Sequence, residues 1–205
     1  MTLPIVIIGG GGHARVLIDA LRIARRQILG IVDPKLAVAD APFGLQVLGG
    51  DDAIEKYRPN QIELVNGVGG TDSTQHRRDI YRRFKARGFR FAEVIHRSAV
   101  VSELAKFAEG VQVMAGCVIQ CGTIIGANTI VNTRASIDHD CSIGQSVHIA
   151  PGVTLSGSVT IGDGSHIGTG ACVIQGMTIG RDCLVAAGAV IYRDLAHGKR
   201  LLKAE

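Results

Sequence analysis

Aliphatic or phenylalanine side chains recur at every sixth position through the second half of this 205-residue chain. Seventeen successive members keep the register: Ile95, Val101, Phe107, Val113, Ile119, Ile125, Val131, Ile137, Ile143, Ile149, Leu155, Ile161, Ile167, Val173, Ile179, Val185 and Ile191. An α-helix repeats every 3.6 residues and an alternating strand every two, so neither gives six as its strong period over so long a stretch. The pattern therefore predicts short strands that turn a corner every six residues, each with its apolar side chain pointing inward.

Small residues accompany the members of this repeat. The residue directly after a member is often glycine or alanine, and the residue four places on is usually small or β-branched. We expect the first of these at the corners, because glycine bends the backbone at little steric cost. Three such turns then close one triangular coil. The composition agrees with such a repetitive fold, because a chain with five Phe, three Tyr and no Trp must build its core from aliphatic side chains.

This pattern resembles the hexapeptide-repeat family, and the resemblance covers about half of the chain. It implies a left-handed parallel β-helix, an exception to the usual right-handed crossover between parallel strands. We therefore predict a β-helix domain over residues 95–205.

A glycine-rich loop follows the first predicted strand of the other half. The apolar segment 4–8 runs into Gly9–Gly12, an amphipathic helical pattern follows, and a second apolar segment ends at Asp33. Gly9-x-Gly11-x-x-Ala14 fits the looser G-x-G-x-x-G/A fingerprint, in which loop N–H groups approach a diphosphate at a helix N-terminus and the acid binds a ribose. A tight turn without a ligand is the structural alternative.

Only one mononucleotide-binding half fits before the repeats begin. We predict strands near 4–8, 28–32, 62–66 and 90–94, and helices near 13–26, 51–58 and 73–87. Residues 1–94 are therefore predicted to form an α/β, Rossmann-like half domain that precedes the β-helix. A nucleoside-diphosphate ligand fits this length better than NAD, because a dinucleotide needs both halves of the fold.

The charge is modest, with a formal net charge of +4. Residues 1–94 carry 14 Lys and Arg against 10 Asp and Glu, while residues 95–205 carry 8 against 8. This weak polarity favours a small anionic ligand over a nucleic acid. The basic residues between Arg77 and Arg87 recur at helical spacing, so we expect them to form a solvated helix face.

The cysteines and the absence of long apolar runs bear on location. All five Cys lie in the second half without a C-x-x-C pair, so we expect small buried apolar residues in a reducing compartment. No apolar run reaches about 18 residues, so we expect no membrane insertion. These features predict a soluble cytoplasmic protein.

An acid-flanked histidine is conspicuous among the sparsely charged repeats. Asp138-His139-Asp140 follows Asn132 and precedes His148. Nine residues separate the two histidines, which is half a coil, so we expect them on different sides of the β-helix and able to meet only across a subunit interface. His166 comes one full coil after His148 and is expected to stack beside it.

The chain combines the glycine loop and the predicted β-helix with a segment that begins at Asn132 and reads N-T-x-A-x-I-D-H-D-C-x-I-G-x-x-x-H-I-A-P-G. This combination resembles the sugar acyltransferases of the bacillosamine and perosamine type, which acetylate amino sugars carried on nucleoside diphosphates. The resemblance spans nearly the whole chain. It implies that His139 is the catalytic base and that Asp140 raises its basicity. It also implies acetyl-CoA as acyl donor and a site without a metal.

The resemblance further assigns binding residues. It implies that His148 contacts coenzyme A and that the Gly157 N–H, in the segment L-S-G-S, faces the thioester oxyanion. It places the following residues along the coenzyme A channel: Gly168, Thr169 and Ala187. It places the following residues at the nucleotide sugar: Gly11, Gly12, His13, Asp33, Gly69 and Asn132. The sequence departs from the family at Pro34, after the strand-two acid, and at the tail 197–205, which lacks the family's G-x-P-A-K.

The chemistry of these residues suits acetyl transfer to an amine. A sugar amine must lose a proton to attack a thioester, and histidine is the side chain that takes a proton near neutral pH. The surface of a triangular β-helix is shallow and its two histidines lie half a coil apart, so a complete site needs two chains. We therefore predict a homotrimer with sites between chains. The alternatives are O-acetylation of a sugar such as sialic acid and a non-catalytic nucleotide-sugar-binding solenoid. A zinc site of the carbonic-anhydrase type is disfavoured by the histidine spacing, and a solvated loop histidine is the structural alternative for His139.

Overall fold

The N-terminal part of the chain is an open parallel β-sheet. The computed structural model describes residues 2–37, 40–70 and 73–202. The five strands are β1 (Ile5–Ile8), β2 (Ile28–Val32), β3 (Val47–Gly49), β4 (Glu63–Asn66) and β5 (Arg90–Phe91), in the order β3-β2-β1-β4-β5. The helices are α1 (Gly12–Ile23) and α2 (Gln75–Ala86), with short 3-10 helices at Pro42–Gly44 and Asp51–Lys56. No helix in these described ranges is both long and apolar enough to cross a membrane.

The sheet is covered on both faces, which explains the continuous apolar run of β1. Ile5 and Ile7 pack on one face with Leu17 of α1, in a core that continues into the second half of the chain. Val6 and Ile8 pack on the other face in a separate core that includes Phe84 of α2. Strands of parallel sheets buried in this way are apolar at successive positions.

Two details of this half differ from the sequence prediction. The strand β3 was missed, because three residues at the sheet edge give too short a pattern to read. The segment predicted as a helix near 51–58 is a 3-10 helix over Asp51–Lys56.

The second half is a parallel β-helix of two-residue strands. Within the described residues these are β6 (Val94–Ile95), β7 (Val100–Val101), β8 (Lys106–Phe107), β9 (Gln112–Val113), β10 (Val118–Ile119), β11 (Ile124–Ile125), β12 (Ile130–Val131), β13 (Ser136–Ile137), β14 (Ser142–Ile143), β15 (His148–Ile149), β16 (Thr154–Leu155), β17 (Thr160–Ile161), β18 (His166–Ile167), β19 (Cys172–Val173), β20 (Thr178–Ile179), β21 (Leu184–Val185), β22 (Val190–Ile191) and β23 (Arg200–Leu201).

These strands form three parallel sheets of six, five and seven strands. The second member of one strand pairs with the equivalent residue one coil on, as Ile119 pairs with Ile137. This pairing confirms the triangular coil predicted from the sequence. The tail, expected as a departure from the family, adds β23 to the seven-stranded sheet by pairing with β21; its last three residues lie outside the described residues.

The six-residue row fills the interior of the coils. Every member from Val113 to Ile191 is buried. Ile95 is 40% exposed, and Val101 and Phe107 are partly buried, because they belong to the first coils at the open end.

The corners lie at a different position from the one expected. Positive φ recurs every six residues from Gly110 to Gly188, three places after each aliphatic member, and includes the non-glycine residues Asn128 and Asp140. The small residue directly after the aliphatic member serves close stacking instead. A Cβ on Gly126 would lie 2.5 Å from the carbonyl carbon of Gly144 in the next coil.

The two halves meet through a buried polar network that the sequence did not reveal. Arg77 of α2 is 1% exposed, so the expectation of a fully solvated basic face is wrong at this residue. Its guanidinium donates to the carbonyl oxygens of Asn128 (3.0 Å), Asn66 (2.7 Å) and Val68 (2.8 Å). Burial lowers the pKa of Arg77 to about 9. Periodicity places a residue on a helix face but does not tell whether another domain covers that face.

The expectation of five buried cysteines is also partly wrong. Cys117, Cys141 and Cys183 are buried, whereas Cys121 and Cys172 are exposed. Cys121 lies in a corner and Cys172 is the outward member of β19, and neither position faces the interior. Burial raises the pKa of the Cys141 thiol, consistent with a packing role.

Candidate active site

His139 and Asp140 lie together in the corner between β13 and β14. The Nδ1 atom of His139 is 2.9 Å from Oδ2 of Asp140, and the backbone N–H of His139 donates to Oδ1 of Asp138 over 2.8 Å. The His139 side chain is 48% exposed. The hydrogen bond that His139 donates to the Asp140 carboxylate raises the pKa of His139 above its ordinary value. With the proton held on Nδ1, Nε2 is the ring atom left to accept one.

Gly157 occupies the same corner position one coil further on. A Cβ on Gly157 would lie 2.6 Å from both Nε2 and Cε1 of His139, so the imidazole lies directly against this glycine. Ser158 N–H donates to the His139 carbonyl oxygen over 2.8 Å, which links the two coils at this point. The sequence-predicted base and the predicted oxyanion donor are therefore neighbours.

Most of the residues predicted for coenzyme A line one open groove. It has a volume of about 440 Å³ and lies along the seven-stranded sheet. His148, Gly168, Thr169 and Ala187 all contribute to its wall. Asn132, predicted at the sugar, lines the same groove. Gly157 does not, because it lies in the corner of His139.

His148 connects this groove to the N-terminal half. Its Nδ1–H donates to the Gly70 carbonyl oxygen in the loop after β4. Its Nε2 lies 3.2 Å from Nδ2 of Asn132, which donates to it. Burial lowers the pKa of His148 to about 3, so the ring is neutral with one donor and one acceptor in use. His166 stacks edge-to-face against it at 4.8 Å, as the spacing predicted.

The glycine loop opens to solvent at the start of α1. Gly11 is the N-cap residue, with φ of −73°, and no atom lies within 4 Å of a Cβ built on Gly11 or Gly12. His13 Nε2–H donates to Oε1 of Gln112 on β9 over 2.7 Å, and burial lowers the His13 pKa to about 4. A Cβ on Gly69 would lie 3.4 Å from Cβ of His13. Four predicted nucleotide residues thus surround one loop.

Asp33 closes this loop from the side. Its Oδ2 accepts a hydrogen bond from the Gly10 N–H over 2.8 Å, and its Oδ1 accepts one from the Lys35 N–H over 2.9 Å. The acid that the fingerprint assigns to a ribose therefore also fixes the glycine loop, and each oxygen retains a lone pair for a ligand.

Two residues in this region carried no sequence signal. Gln112 donates from Nε2 to the Asn66 carbonyl oxygen over 2.9 Å while it accepts from His13. Asn66 donates to Oδ1 of Asn128 over 3.1 Å. These contacts join residues 46 to 99 positions apart, and no local motif marks them. Within residues 2–37, 40–70 and 73–202, no group of three or more His, Cys, Asp or Glu is arranged to hold a metal ion.

Comparison with known proteins gives matches over both halves. Residues 4–84 match the PglD N-terminal domain. Residues 122–157 and 140–175 match the bacterial transferase hexapeptide model of six repeats, and residues 158–193 match the hexapeptide repeat of succinyl-transferase.

Two solved structures are similar over almost the whole length. The acetyltransferase domain of PglB from Neisseria gonorrhoeae is 35% identical, with 98% of this chain and 96% of that chain covered and a TM-score of 0.92. A histidine-to-asparagine mutant of perosamine N-acetyltransferase from Caulobacter crescentus, in complex with CoA and GDP-perosamine, is 39% identical, with 98% and 93% covered and a TM-score of 0.89.

The left-handed parallel β-helix, the N-terminal parallel sheet and these matches define a hexapeptide-repeat acyltransferase. The chain belongs to the family of sugar acetyltransferases that contains the PglB acetyltransferase domain and perosamine N-acetyltransferase. The resemblance noted in the sequence is confirmed.

Proposed function

We propose that this enzyme transfers the acetyl group of acetyl-CoA to the 4-amino group of an amino-deoxy sugar linked to UDP, GDP or dTDP, with His139 as general base. The observation that carries the proposal is the hydrogen bond between His139 Nδ1 and Asp140 Oδ2 in a solvent-open corner. Support comes from similar proteins bound to acetyl coenzyme A and to CoA with GDP-perosamine.

In the proposed reaction, the sugar ammonium first loses one proton to solvent, and His139 Nε2 then removes a second proton from the neutral amine as it attacks. The amine nitrogen bonds to the thioester carbonyl carbon, and the C–S bond breaks to release coenzyme A, to which His139 returns the proton. Asp140 holds Nδ1–H and stabilises the imidazolium that forms. Residue Cys141 does not take part as a nucleophile, since its thiol is buried.

The acyl donor is proposed to lie in the groove lined by His148 and Asn132. The lining includes the small residues Gly168, Thr169 and Ala187, which leave room for a long narrow chain between the larger side chains. The N–H of Gly157, beside His139, is proposed to donate to the developing oxyanion. Such a donor contributes about 3 kcal/mol to the barrier reduction.

The nucleotide is proposed to bind at the glycine loop. Gly11 and Gly12 present backbone to solvent at the N-terminus of α1, where a diphosphate is stabilised by free N–H groups. Asp33 is proposed to accept from the ribose while it keeps its bond to Gly10. Residues 1–94 would then hold the nucleotide sugar and residues 95–205 acetyl-CoA.

A complete site is proposed to need two chains of a homotrimer. His139 lies in the corner between β13 and β14, whereas His148 lies on β15 and donates to Gly70 in the loop after β4, and no described contact joins the two histidines. Two neighbouring copies can bring the two surfaces together, and threefold closure satisfies all three copies alike. We further propose a cytoplasmic enzyme that serves polysaccharide biosynthesis, where acetyl-CoA and nucleotide sugars are both available.

The test is to incubate the enzyme with acetyl-CoA and a panel of UDP-, GDP- and dTDP-linked 4-amino sugars. The release of free thiol measures the reaction, and mass spectrometry identifies the product. We expect acetylation of one nucleotide series, abolished by His139→Ala. Preferred acetylation of free sialic acid would support the O-acetyltransferase instead. Tight binding of a nucleotide sugar without any turnover would support the non-catalytic solenoid.

A further inference from the structure

Two glycines in adjacent coils flank the His139–Asp140 pair. Gly122 lies one coil before Asp140 at the equivalent corner position, and Gly157 lies one coil after His139. A Cβ on Gly122 would overlap Oδ1 of Asp140 and lie 3.3 Å from its Cγ. A Cβ on Gly157 would lie 2.6 Å from Nε2 of His139. The carboxylate therefore leans towards the preceding coil and the imidazole towards the following one.

The fold itself does not require glycine at these positions. At the corner position of Gly157, other coils carry Cys121 and Gln175, and Gly157 does not have a positive φ. At the corner position of Gly122, Ser158 adopts φ of +60° with a side chain. What a side chain would meet at Gly122 and Gly157 is the pair itself.

We propose that Gly122 and Gly157 are positioning residues, because the space left by their missing side chains sets the orientation of the His139–Asp140 pair. This inference rests on the proposed role of His139 and extends it to two residues that touch the base and its partner. The role assigned here to Gly157 is separate from that of its backbone N–H, since it depends on the absence of Cβ.

The physical reason is that the pair has few other restraints. His139 is half exposed, and its polar side-chain contact among the described residues is the bond from Nδ1 to Asp140. A Cβ on Gly157 would push the ring away and lengthen that bond or turn Nε2 aside. A side chain on Gly122 would displace the Asp140 carboxylate relative to the His139 ring. Displacements of about 1 Å at a reacting group lower rates by about 100-fold.

The chain offers a matched control for Gly122. Gly176 occupies the same corner column with the same φ of +74°, and no atom lies within 4 Å of a Cβ built on it. Asn128 adopts φ of +58° at an equivalent turn, so asparagine is compatible with this backbone. Gly122→Asn and Gly176→Asn therefore carry equal backbone costs and differ in the contact with Asp140. Gly157→Ala has no positive-φ cost, and its folding is checked by melting temperature.

Three measurements test the inference on the full-length enzyme. Steady-state kinetics give kcat and both KM values, the pH profile of kcat/KM gives the kinetic midpoint, and NMR titration follows the His139 ring without turnover. We expect Gly157→Ala and Gly122→Asn to lower kcat about 10- to 100-fold with both KM values within about twofold. We expect the His139 midpoint to fall, because Asp138 and Asp140 face this ring and the bond to Asp140 would be lost. Gly176→Asn should match the wild type.

The outcomes separate this inference from the proposed function. A His139 titration unchanged in both folded variants overturns the positioning role, and so does a loss of kcat with an unchanged midpoint, which would assign Gly157 to its N–H alone. Equal losses in Gly122→Asn and Gly176→Asn would also overturn it for Gly122. If His139→Ala kept normal activity while both variants shifted the titration, the proposed base would fail and the positioning role would stand.

Discussion

The histidines at the candidate site differ in protonation because their surroundings differ. His139 is half exposed and bonded to Asp140, which raises its pKa, whereas burial lowers the pKa of His13 to about 4 and of His148 to about 3. Near neutral pH the rings of His13 and His148 are neutral hydrogen-bonding groups, whereas the pKa of His139 lies above its ordinary value. The surroundings of each imidazole therefore set its pKa, although the side chains are chemically identical.

Removal of the His139 imidazole tests its proposed role as general base. His139→Ala should lower kcat by about two to four orders of magnitude with little change in the KM for nucleotide sugar, because general-base catalysis is lost while binding surfaces remain. Asp140→Asn should cost less. Steady-state kinetics at saturating acetyl-CoA measure both, and a kcat of His139→Ala near that of wild type would exclude His139 as the base.

The pH dependence follows from the same pair. The base works in its neutral form, and its pKa is raised by Asp140, so kcat/KM should rise with pH through that raised pKa and reach a plateau. Asp140→Asn should move the midpoint of the rise to lower pH. A rate that falls with pH over this range, or a midpoint unaffected by Asp140→Asn, would contradict the assignment.

Arg77 illustrates how one buried residue joins the two halves. Arg77→Met should remove a donor from three carbonyl oxygens, of which that of Asn66 still accepts from Gln112. We expect it to lower stability by about 3 kcal/mol, or the melting temperature by about 6–12 °C. Arg82→Met is the control, since Arg82 is exposed on the same helix and should change stability by less than about 0.5 kcal/mol. Equal thermal shifts in both variants would show that the buried network adds nothing.

At the scale of elements, the glycine loop before α1 is the part that can be tested separately. Gly11→Val introduces a side chain at φ of −73°, so the backbone is not strained, and no atom of the chain lies near its Cβ. We expect the KM for nucleotide sugar to rise about tenfold or more while the Kd for coenzyme A stays unchanged, because the branch blocks approach to the loop N–H groups. Calorimetric titration with UDP, GDP and coenzyme A checks this.

If Gly11→Val lost coenzyme A binding and retained nucleotide binding, the assignment of the nucleotide to the glycine loop would be wrong. Asp33→Ala is the less selective companion variant, because Asp33 holds the Gly10 N–H as well as facing the proposed ribose position. We expect it to weaken nucleotide binding by about 1–3 kcal/mol through either effect.

At the scale of the whole molecule, the separation of His139 from His148 predicts a site shared between chains. At a nucleotide-sugar concentration well below the raised KM of Gly11→Val, mixing subunits of His139→Ala with subunits of Gly11→Val, after dissociation and reassembly, should restore activity above that of either variant. Random equal mixing should give about a quarter of wild-type sites. Sedimentation at micromolar concentration should give a trimer. No recovery on mixing, or a fully active monomer, would place the site within one chain.

Local sequence patterns are sufficient to predict the elements whose cause is local. The six-residue row predicts the β-helix because each coil repeats the same short-range rule. Asp138-His139-Asp140 places the proposed base beside its partner because the residues are consecutive. The corner residues were placed two positions too early, since small residues serve both close coil stacking and positive φ, and composition does not separate the two uses.

How the two halves of the chain face each other depends on long-range contacts. The hydrogen bonds of His13 to Gln112 and of His148 to Gly70 join residues 99 and 78 positions apart. The docking of the two halves also buries Arg77 on one face of α2. Such contacts depend on the shapes and exposed polar groups of two domains docked together, and no periodicity within either domain encodes them. The contact of His139 with Gly157 depends likewise on which way each side chain leans between coils, which the packing of neighbouring backbones decides.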